Sequence, residues 1–299
     1  MIEVKNLTKR YGSFTALQDI SLSVDKGDIY GLVGYNGAGK TTLLKNISGV
    51  YKPEEGGVYY NSKPVFDNPK IKEKIFFIPD DLYFGTYANM NKMAAFYNGY
   101  YSKFDYSTFK RLTEAFGLDP TKRINGFSKG MQRQAEMVLA LSTRPEVILL
   151  DESFDGIDPQ KRILIKGLVT EYINDFEASV IISSHNLTEL EDLCTDIGII
   201  NGKKIVISGK VSSLSFGKSK YRLAFNRPFS LDEFSGIEAQ GLRKDGQLAI
   251  FTVMGDSDEI QEKIKALKPA VIERINLSLE EIFMEEMEEG DYDLKKIFS

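Results

Sequence analysis

Short apolar runs, separated by longer stretches with helical spacing, form the dominant pattern of this chain. The runs occupy residues 29–33, 147–150 and 179–184, and runs of this length are typical of strands buried on both faces of a parallel sheet. Apolar positions three and four apart predict helices between about 82 and 141 and again over 163–173. This alternation predicts an α/β fold whose parallel sheet is covered by helices.

The two ends of the chain differ from its middle. Residues 2–33 are β-rich, with alternating apolar and polar positions and a turn at 25–28. Near the C-terminus the pattern predicts a small α/β accessory domain over 213–290 and a tail over 291–299, and the acidic stretch at 285–291 is typical of a solvated helix end or tail. The predicted strands and helices of the accessory domain lie at 221–225, 248–253, 259–267 and 278–287.

Composition and charge are those of an ordinary globular protein with a substantial core. The chain has 299 residues, of which 42% are apolar and 27% charged, and its net charge is −5. This balance argues against nucleic-acid binding through a basic surface. Cys194 is the only cysteine, which excludes a disulfide within the chain and fits a reducing compartment. We find neither an N-terminal signal core nor an apolar run of about twenty residues, so we expect any membrane role to depend on a partner.

One glycine-rich octet, residues 34–41, carries the most specific chemical signal. It fits the pattern G-x-x-x-x-G-K-[ST] between an apolar run and a predicted helix. Its glycines let backbone N–H groups approach phosphate oxygens, and the helix N-terminus adds positive potential. Lys40 would contact the β- and γ-phosphates, and Thr41 would offer its hydroxyl to Mg²⁺. The alternative is a glycine-rich turn that happens to end in Lys-Thr. The candidate nucleotide-binding residues here are Gly34, Tyr35, Asn36, Gly37, Ala38, Gly39, Lys40, Thr41 and Thr42.

Two acids follow the apolar run at 147–150. Asp151 and Glu152 would lie at the C-terminal edge of the parallel sheet, where ligands bind in open α/β folds. Asp151 is suited to hold Mg²⁺, directly or through water, and Glu152 to orient and deprotonate an attacking water. Because a free carboxylate is a weak base with a reference pKa of about 4, its position would matter more than its basicity. The alternative is a pair of solvated acids at a strand end.

The only histidine, His185, follows the apolar run at 179–184. We expect it at the same sheet edge as Asp151 and the octet, where it could donate a hydrogen bond to a γ-phosphate. A lone histidine is also commonly structural or simply exposed, and both interpretations stay open.

Five motifs occur in an order that resembles the nucleotide-binding subunit of an ABC transporter. They are the octet and residues 127–132, 149–152, 156–159 and 184–185. The resemblance covers about residues 1–212 and is specific, because all the motifs recur in one order. It implies a P-loop ABC ATPase with an antiparallel β subdomain, a parallel-sheet core and a helical subdomain at about 82–141. It also implies ATP and Mg²⁺ as cofactors and Tyr11 as the aromatic that stacks on adenine, although alone Tyr11 would be an ordinary aromatic of the β region.

By the same resemblance, Ser128 and Gly130 match the signature motif, which binds the γ-phosphate held by the opposite subunit. A serine hydroxyl, a glycine N–H and a helix N-terminus would together form a second anion site. Lys129 and Met131 stand where the commonest form of the motif has Gly and Gln, a variation also found among bacterial exporter ATPases. The family implies a sandwich dimer, and Asp158 matches the loop that crosses its axis.

Asp80 occupies the position at which the family usually has a glutamine that ligates Mg²⁺ and water. A carboxylate there can bind Mg²⁺ and brings an extra negative charge. The alternative, a solvated loop acid, carries equal weight.

Aromatic residues are concentrated between 83 and 109. Core packing of a helical subdomain is the simpler explanation. The resemblance implies instead a groove that accepts a short helix of a membrane subunit, and each explanation can hold for different residues.

The leading hypothesis is an ATPase subunit, cytoplasmic and peripheral on the inner face of the cell membrane, that powers export through a separate transmembrane permease. It would act with a second ATPase subunit, either identical or a paralogue, and without nucleic acid. Drug or peptide exporters are the group it resembles most. The alternative is a soluble ABC ATPase that acts as a nucleotide-gated regulator or in translation or DNA processes.

Overall fold

The computed structural model describes residues 1–211, 218–255, 257–275 and 278–281. The chain divides into two units, Met1–Lys210 and Val211–Ser299. Among the described helices, none combines the length and the apolar composition that crossing a membrane requires.

An antiparallel sheet begins the first unit, and it confirms the predicted β subdomain. Ile2 pairs with Val24 on one neighbouring strand and with Tyr60 on the other, and all three side chains are buried. The four strands are β1 (Ile2–Tyr11), β2 (Phe14–Val24), β4 (Glu55–Tyr60) and β5 (Lys63–Pro64), in the order β2-β1-β4-β5.

A second sheet of six strands forms the centre of this unit and confirms the predicted parallel core. Its strands are β3 (Ile29–Val33), β6 (Ile75–Ile78), β7 (Val147–Asp151), β8 (Ser179–Ser184), β9 (Asp196–Asn201) and β10 (Lys204–Lys210), in the order β10-β9-β3-β8-β7-β6. All pairings are parallel except that of β10 with β9. Every residue of β3, β7 and β8 is buried, which explains why these strands are mainly apolar, apart from Asp151 at the end of β7 and the serines at both ends of β8.

The register of the parallel strands brings their C-terminal ends together. Val33 of β3 pairs with Ser184 of β8, and Asp151 of β7 pairs with Ser183. The segments that follow β3, β7 and β8 therefore emerge side by side at one edge of the sheet, as Asp151, Glu152 and His185 require for a shared site.

Helices cover the parallel sheet and form the predicted helical subdomain. Asn89, Asp105 and Ser128 accept hydrogen bonds from the first turns of three of these helices and so define where they begin. The helices of the first unit are α1 (Lys40–Ile47), α2 (Pro69–Lys72), α3 (Met90–Asn98), α4 (Tyr106–Phe116), α5 (Lys129–Ser142), α6 (Pro159–Phe176) and α7 (Leu187–Leu193).

The second unit contains an antiparallel sheet and one longer helix. Its core is aromatic, with Tyr221, Phe225, Phe229, Phe234 and Phe251 buried together. Of the helix predicted over 278–287, the structure describes only residues 278–281, and the predicted tail lies outside the described residues. The elements are β11 (Lys218–Ala224), β12 (Gln240–Asp245), β13 (Leu248–Met254), β14 (Val271–Ile275) and α8 (Asp258–Ala266), with sheet order β12-β13-β11-β14.

Candidate functional site

The glycine-rich octet forms a tight turn between β3 and α1. Gly39 has a φ of 109°, and a Cβ at this position would lie 2.6 Å from Leu17 Cδ2. A Cβ at Gly34 would lie 2.9 Å from the carbonyl oxygen of Ile200. Larger residues are therefore excluded at both positions. Gly39 cannot cap α1 with a side chain, so the N–H groups of the first helical turn are left to an incoming anion.

The Lys40 ammonium lies at the floor of a cavity beside this turn. It is buried, donates to the carbonyl oxygens of Gly34 at 2.7 Å and Tyr35 at 3.4 Å, and lies 3.2 Å from Glu152 Oε1. The octet thus holds a cation on its own backbone. The cavity has a volume of about 240 Å³ and is lined by Tyr11, Phe14, Ala16, Tyr35, Asn36, Gly37, Gly39, Lys40, Thr41, Thr42, Asp80 and Glu152.

Asp151, at the end of β7, is fully buried and has the features of a metal ligand. Its Oδ1 accepts a hydrogen bond from Ser183 Oγ at 2.6 Å, whereas Oδ2 is buried without a hydrogen-bond partner among the described residues. Burial raises the pKa of this carboxyl, the Ser183 and Thr41 hydroxyls lower it, and the charges of Glu152 and Asp80 raise it further. A divalent cation bound to Oδ2 would satisfy the orphaned oxygen, so this residue fits Mg²⁺.

Glu152 has a backbone conformation that is unusual for a residue other than glycine, with φ of 47°. Its N–H donates to the carbonyl oxygen and to the hydroxyl of Ser183, both at 3.1 Å. Its carboxylate lies between Lys40, on Oε1, and His185, whose Nδ1 is 2.9 Å from Oε2. The strand end therefore directs this side chain into the cavity.

His185 follows β8 and joins the same group, as predicted from its position in the chain. Its side chain is about half exposed, and its N–H also donates to Glu152 Oε2 at 3.3 Å. Asp155 Oδ2 lies 3.9 Å from the ring. Ligand atoms of these three residues all lie within 4.8 Å of one another, so the histidine faces acidic groups.

Tyr11, at the end of β1, lies at the mouth of the cavity. Its hydroxyl is 3.5 Å from Thr42 Oγ1, and the edge of its ring packs against Tyr51 with the centroids 5.9 Å apart. The ring is 45% exposed, which leaves apolar surface on which a planar base could stack.

Ser128, Gly130 and Asp158 do not line the cavity. Ser128 Oγ caps α5 by accepting from Met131 N at 3.3 Å, and Asp158 caps α6 by accepting from Gln160 N at 2.9 Å. A Cβ at Gly130 would lie 2.8 Å from the carbonyl oxygen of Gly156. The glycine thus permits the start of α5 to approach the loop before α6.

Asp80 lines the cavity but is also an ion-pair partner. Its Oδ1 accepts from Arg133 Nη2 at 2.7 Å, and Arg133 Nη1 donates to the carbonyl oxygen of Glu152. Sequence reasoning missed Arg133 and also Ser183. Strand alignment could have found Ser183, because it pairs with Asp151. For Arg133 the signal in the sequence was Asp80, whose extra negative charge calls for a nearby cation.

The chain is similar to known proteins. Residues 17–155 match the family model described as ABC transporter. The ABC transporter ATP-binding protein YtrB of Bacillus subtilis (strain 168) is 29% identical over 95% of this chain and 97% of its own length. The bacitracin transport ATP-binding protein BcrA of Bacillus licheniformis is 30% identical over 88% of each chain.

Solved structures give the same result. The structure of an ATP-binding subunit of an ABC transporter covers 79% of this chain and 98% of its own, with 25% identity and a TM-score of 0.68. Other solved cassettes with this fold include dimers.

Proposed function

This chain belongs to the ABC transporter family as an ATP-binding subunit, and we propose that its ATP hydrolysis powers export of a substrate through a separate transmembrane partner. As a member of that family it is an ATPase that binds ATP. One observation carries the hydrolytic part of the proposal. Lys40 Nζ, the group suited to the γ-phosphate, lies 3.2 Å from Glu152 Oε1, the group suited to the attacking water.

The cavity lining offers groups for the base, the phosphates and the attacking water of one nucleotide. Tyr11 would stack on the base, while the octet N–H groups and Lys40 would hold the phosphates. A phosphate that engages Lys40 would compete with its ion pair to Glu152. The Glu152 carboxylate, kept in place by its backbone and by His185, would then orient the water, and His185 would contact the γ-phosphate.

Mg²⁺ would be held by the Thr41 hydroxyl and by Asp151, whose Oδ2 lacks a partner among the described residues. The ion neutralises charge on the β- and γ-phosphates. We leave Asp80 out of this ligand set, because its carboxylate is paired with Arg133.

A second subunit would complete the site. Ser128, Gly130 and Asp158 lie outside the cavity of their own chain, which suits residues that serve the nucleotide of an opposite copy or paralogue. The first-turn N–H groups of α5 that the Ser128 hydroxyl does not cap would offer an anion site there. Dimers among cassettes of this fold support the same arrangement.

The membrane partner would dock on an aromatic groove of the helical subdomain. The cavity there has a volume of about 410 Å³, and its lining includes Phe96 and Tyr100, which are 54% and 66% exposed. Phe84 and Phe109 are buried instead, so the aromatic segment contains both core and surface residues. Docking of a short apolar helix in this groove would hold the subunit at the inner face of the cell membrane. The groove is lined by Pro69, Lys72, Glu73, Phe96, Tyr97, Tyr100 and Tyr101.

Export of a drug or peptide is the direction and cargo class that we favour. The support is the similarity to BcrA, whose name concerns bacitracin transport and which aligns over 88% of both chains. Reconstitution with a transmembrane partner, in vesicles loaded with ATP, would measure the direction directly. Accumulation of substrate on the ATP side would contradict export.

The Glu152→Gln variant tests the hydrolytic site. Glutamine keeps the size of the side chain but cannot accept a proton, so we expect ATP binding to be retained, hydrolysis to be lost and an ATP-bound dimer to accumulate. Sedimentation with ATP and Mg²⁺ measures the dimer. Glu171→Gln, on the exposed surface of α6, is the matched control and should hydrolyse normally. Hydrolysis at the wild-type rate by Glu152→Gln would refute the assignment.

A further inference from the structure

One guanidinium joins three segments around the site. Arg133 extends from α5, and its side chain is only 13% exposed. Nη2 donates to Asp80 in the segment after β6, at 2.7 Å, and Nη1 donates to the carbonyl oxygen of Glu152 at the end of β7. The planar fork of an arginine suits two acceptors in fixed directions, which a lysine cannot reproduce.

The charges around the cavity explain why a cation is needed at this point. Asp80 and Glu152 both line the cavity, and Asp151 precedes Glu152 at the end of β7, so carboxylates are concentrated at this edge of the sheet. Lys40 is paired with Glu152, and the phosphates of ATP would draw it away. Arg133 offsets Asp80 and does so outside the phosphate-binding turn.

The backbone conformation of Glu152 explains the role of the hydrogen bond that Arg133 Nη1 donates to the Glu152 carbonyl oxygen. The φ of 47° is held on one side by Ser183 of β8, which accepts from the Glu152 N–H, and on the other by Arg133, which donates to the Glu152 carbonyl. Because this conformation is costly for a residue with a Cβ, surrounding contacts must maintain it. The direction of the carboxylate depends on that conformation.

We propose that Arg133 is a positioning residue for ATP hydrolysis: it fixes the Glu152 backbone and neutralises Asp80, so that the hydrolytic carboxylate keeps its place when nucleotide binds. This inference rests on the proposed role of Glu152. Arg133 lies on the helix that begins at the Ser128 cap, so the same guanidinium connects the segment facing the second subunit to the hydrolytic acid.

The test compares Arg133→Gln, Asp80→Asn and the double variant. Arg133→Gln loses a charge-assisted contact and leaves Asp80 unpaired, so we expect kcat to fall about tenfold or more, with KM for ATP changed less than about threefold. The double variant removes the unpaired charge and should recover at least about threefold of the lost kcat. Arg111→Gln, an exposed position on α4, is the control and should retain full activity.

Arg133→Lys keeps the positive charge and is the variant least prone to misfold. A single ammonium cannot hold both acceptors, so its kcat should fall between those of wild type and Arg133→Gln. Wild-type kcat in Arg133→Lys would overturn the two-acceptor role. A loss in Arg133→Gln that Asp80→Asn does not relieve would overturn the charge-balancing role.

Glu152→Gln is measured in parallel, so that a failure of the role of Arg133 can be distinguished from a failure of the proposed hydrolytic role of Glu152. If Glu152→Gln is inactive and Arg133→Gln keeps wild-type kcat, only the role of Arg133 is refuted. If Glu152→Gln remains active, the proposed hydrolytic site itself fails.

Discussion

Replacing Glu136 with glutamine should stabilise the protein at neutral and alkaline pH. Glu136 lies in the middle of α5 with 5% of its surface exposed. The Tyr97 hydroxyl donates to Oε1 at 2.8 Å, whereas Oε2 is buried without a partner among the described residues. Burial raises the pKa of Glu136 to about 7, although the hydrogen bond from Tyr97 opposes the rise. At pH 8 the Glu136 carboxyl is therefore ionised although it is buried, and the Tyr97 hydroxyl donates to it where water would do so in the unfolded chain.

The size of the effect follows from this pKa. In the unfolded chain the carboxyl ionises near its ordinary pKa of 4.5, so between pH 4.5 and about 7 the folded state binds more protons and loses stability as the pH rises. At about 1.36 kcal/mol per pH unit, the loss is complete near pH 8 and amounts to about 3 kcal/mol. In Glu136→Gln the amide keeps an acceptor for Tyr97 and cannot ionise, so this loss should disappear.

Differential scanning calorimetry at pH 8 and pH 4.5 measures the gain. About 3 kcal/mol corresponds to a rise in Tm of about 6–12 °C for a unit of this size, and the rise should shrink to about 1–2 °C at pH 4.5. Hydrogen exchange of the α5 amides assigns the change to the first unit. Equal Tm values for Glu136→Gln and wild type at pH 8 would refute the reasoning, because they would mean that the carboxylate costs nothing where it is.

Glu146→Gln is a control of opposite sign. Burial opposes ionisation of Glu146, but hydrogen bonds from Tyr60, Lys103 and Lys74 outweigh it and lower its pKa to about 2. Its stabilising contribution is therefore present above pH 4.5 and lost as the pH falls toward 2. Glu146→Gln should reduce Tm at pH 8, so a glutamine that stabilised both positions would indicate a general effect of removing negative charge.

The remaining predictions concern the two anion sites. Lys40→Ala removes the ammonium proposed to bind the phosphates and should weaken ATP binding at least about tenfold, measured by titration with a fluorescent ATP analogue; unchanged affinity would contradict its phosphate role. Gly130→Ala would place a Cβ 2.8 Å from the Gly156 carbonyl oxygen and should cost about 1–3 kcal/mol of stability. Because Gly130 lies outside the cavity, the same variant should lose ATPase activity while a single subunit still binds ATP, and parallel loss of both would argue against a site completed by a second subunit.

Much of the fold and of the octet follows from local sequence. The mainly apolar runs become β3, β7 and β8, in which every residue is buried, because these strands are covered on both faces. Gly37 and Gly39 have φ values of 85° and 109°, conformations that the glycine pattern itself requires. Asp151, Glu152 and His185 could be predicted as neighbours because parallel strands end at the same edge.

Contacts that depend on how α5 packs could not be predicted in this way. Arg133 and Asp80 are 53 positions apart in the chain, and no periodicity connects a helix residue to a loop at that distance. For Asp80 the sequence left a metal ligand and a solvated acid as equal alternatives. The structure adds an ion pair with Arg133, which neither alternative contained.

Residues at the ends of elements are predictable because the direction of the chain fixes where they lie, whereas residues in the middle of a helix depend on which neighbour the helix meets. Arg133 and Glu136 are three positions apart on α5, yet one contacts the backbone of Glu152 and the other contacts Tyr97 on α3. Both side chains are largely buried, so each polar group needs a partner from a different segment. The proposed positioning role and the pH-dependent stability therefore have the same origin, which is the packing of a largely buried helix with a few charged side chains against the parallel sheet and the other helices of the helical subdomain.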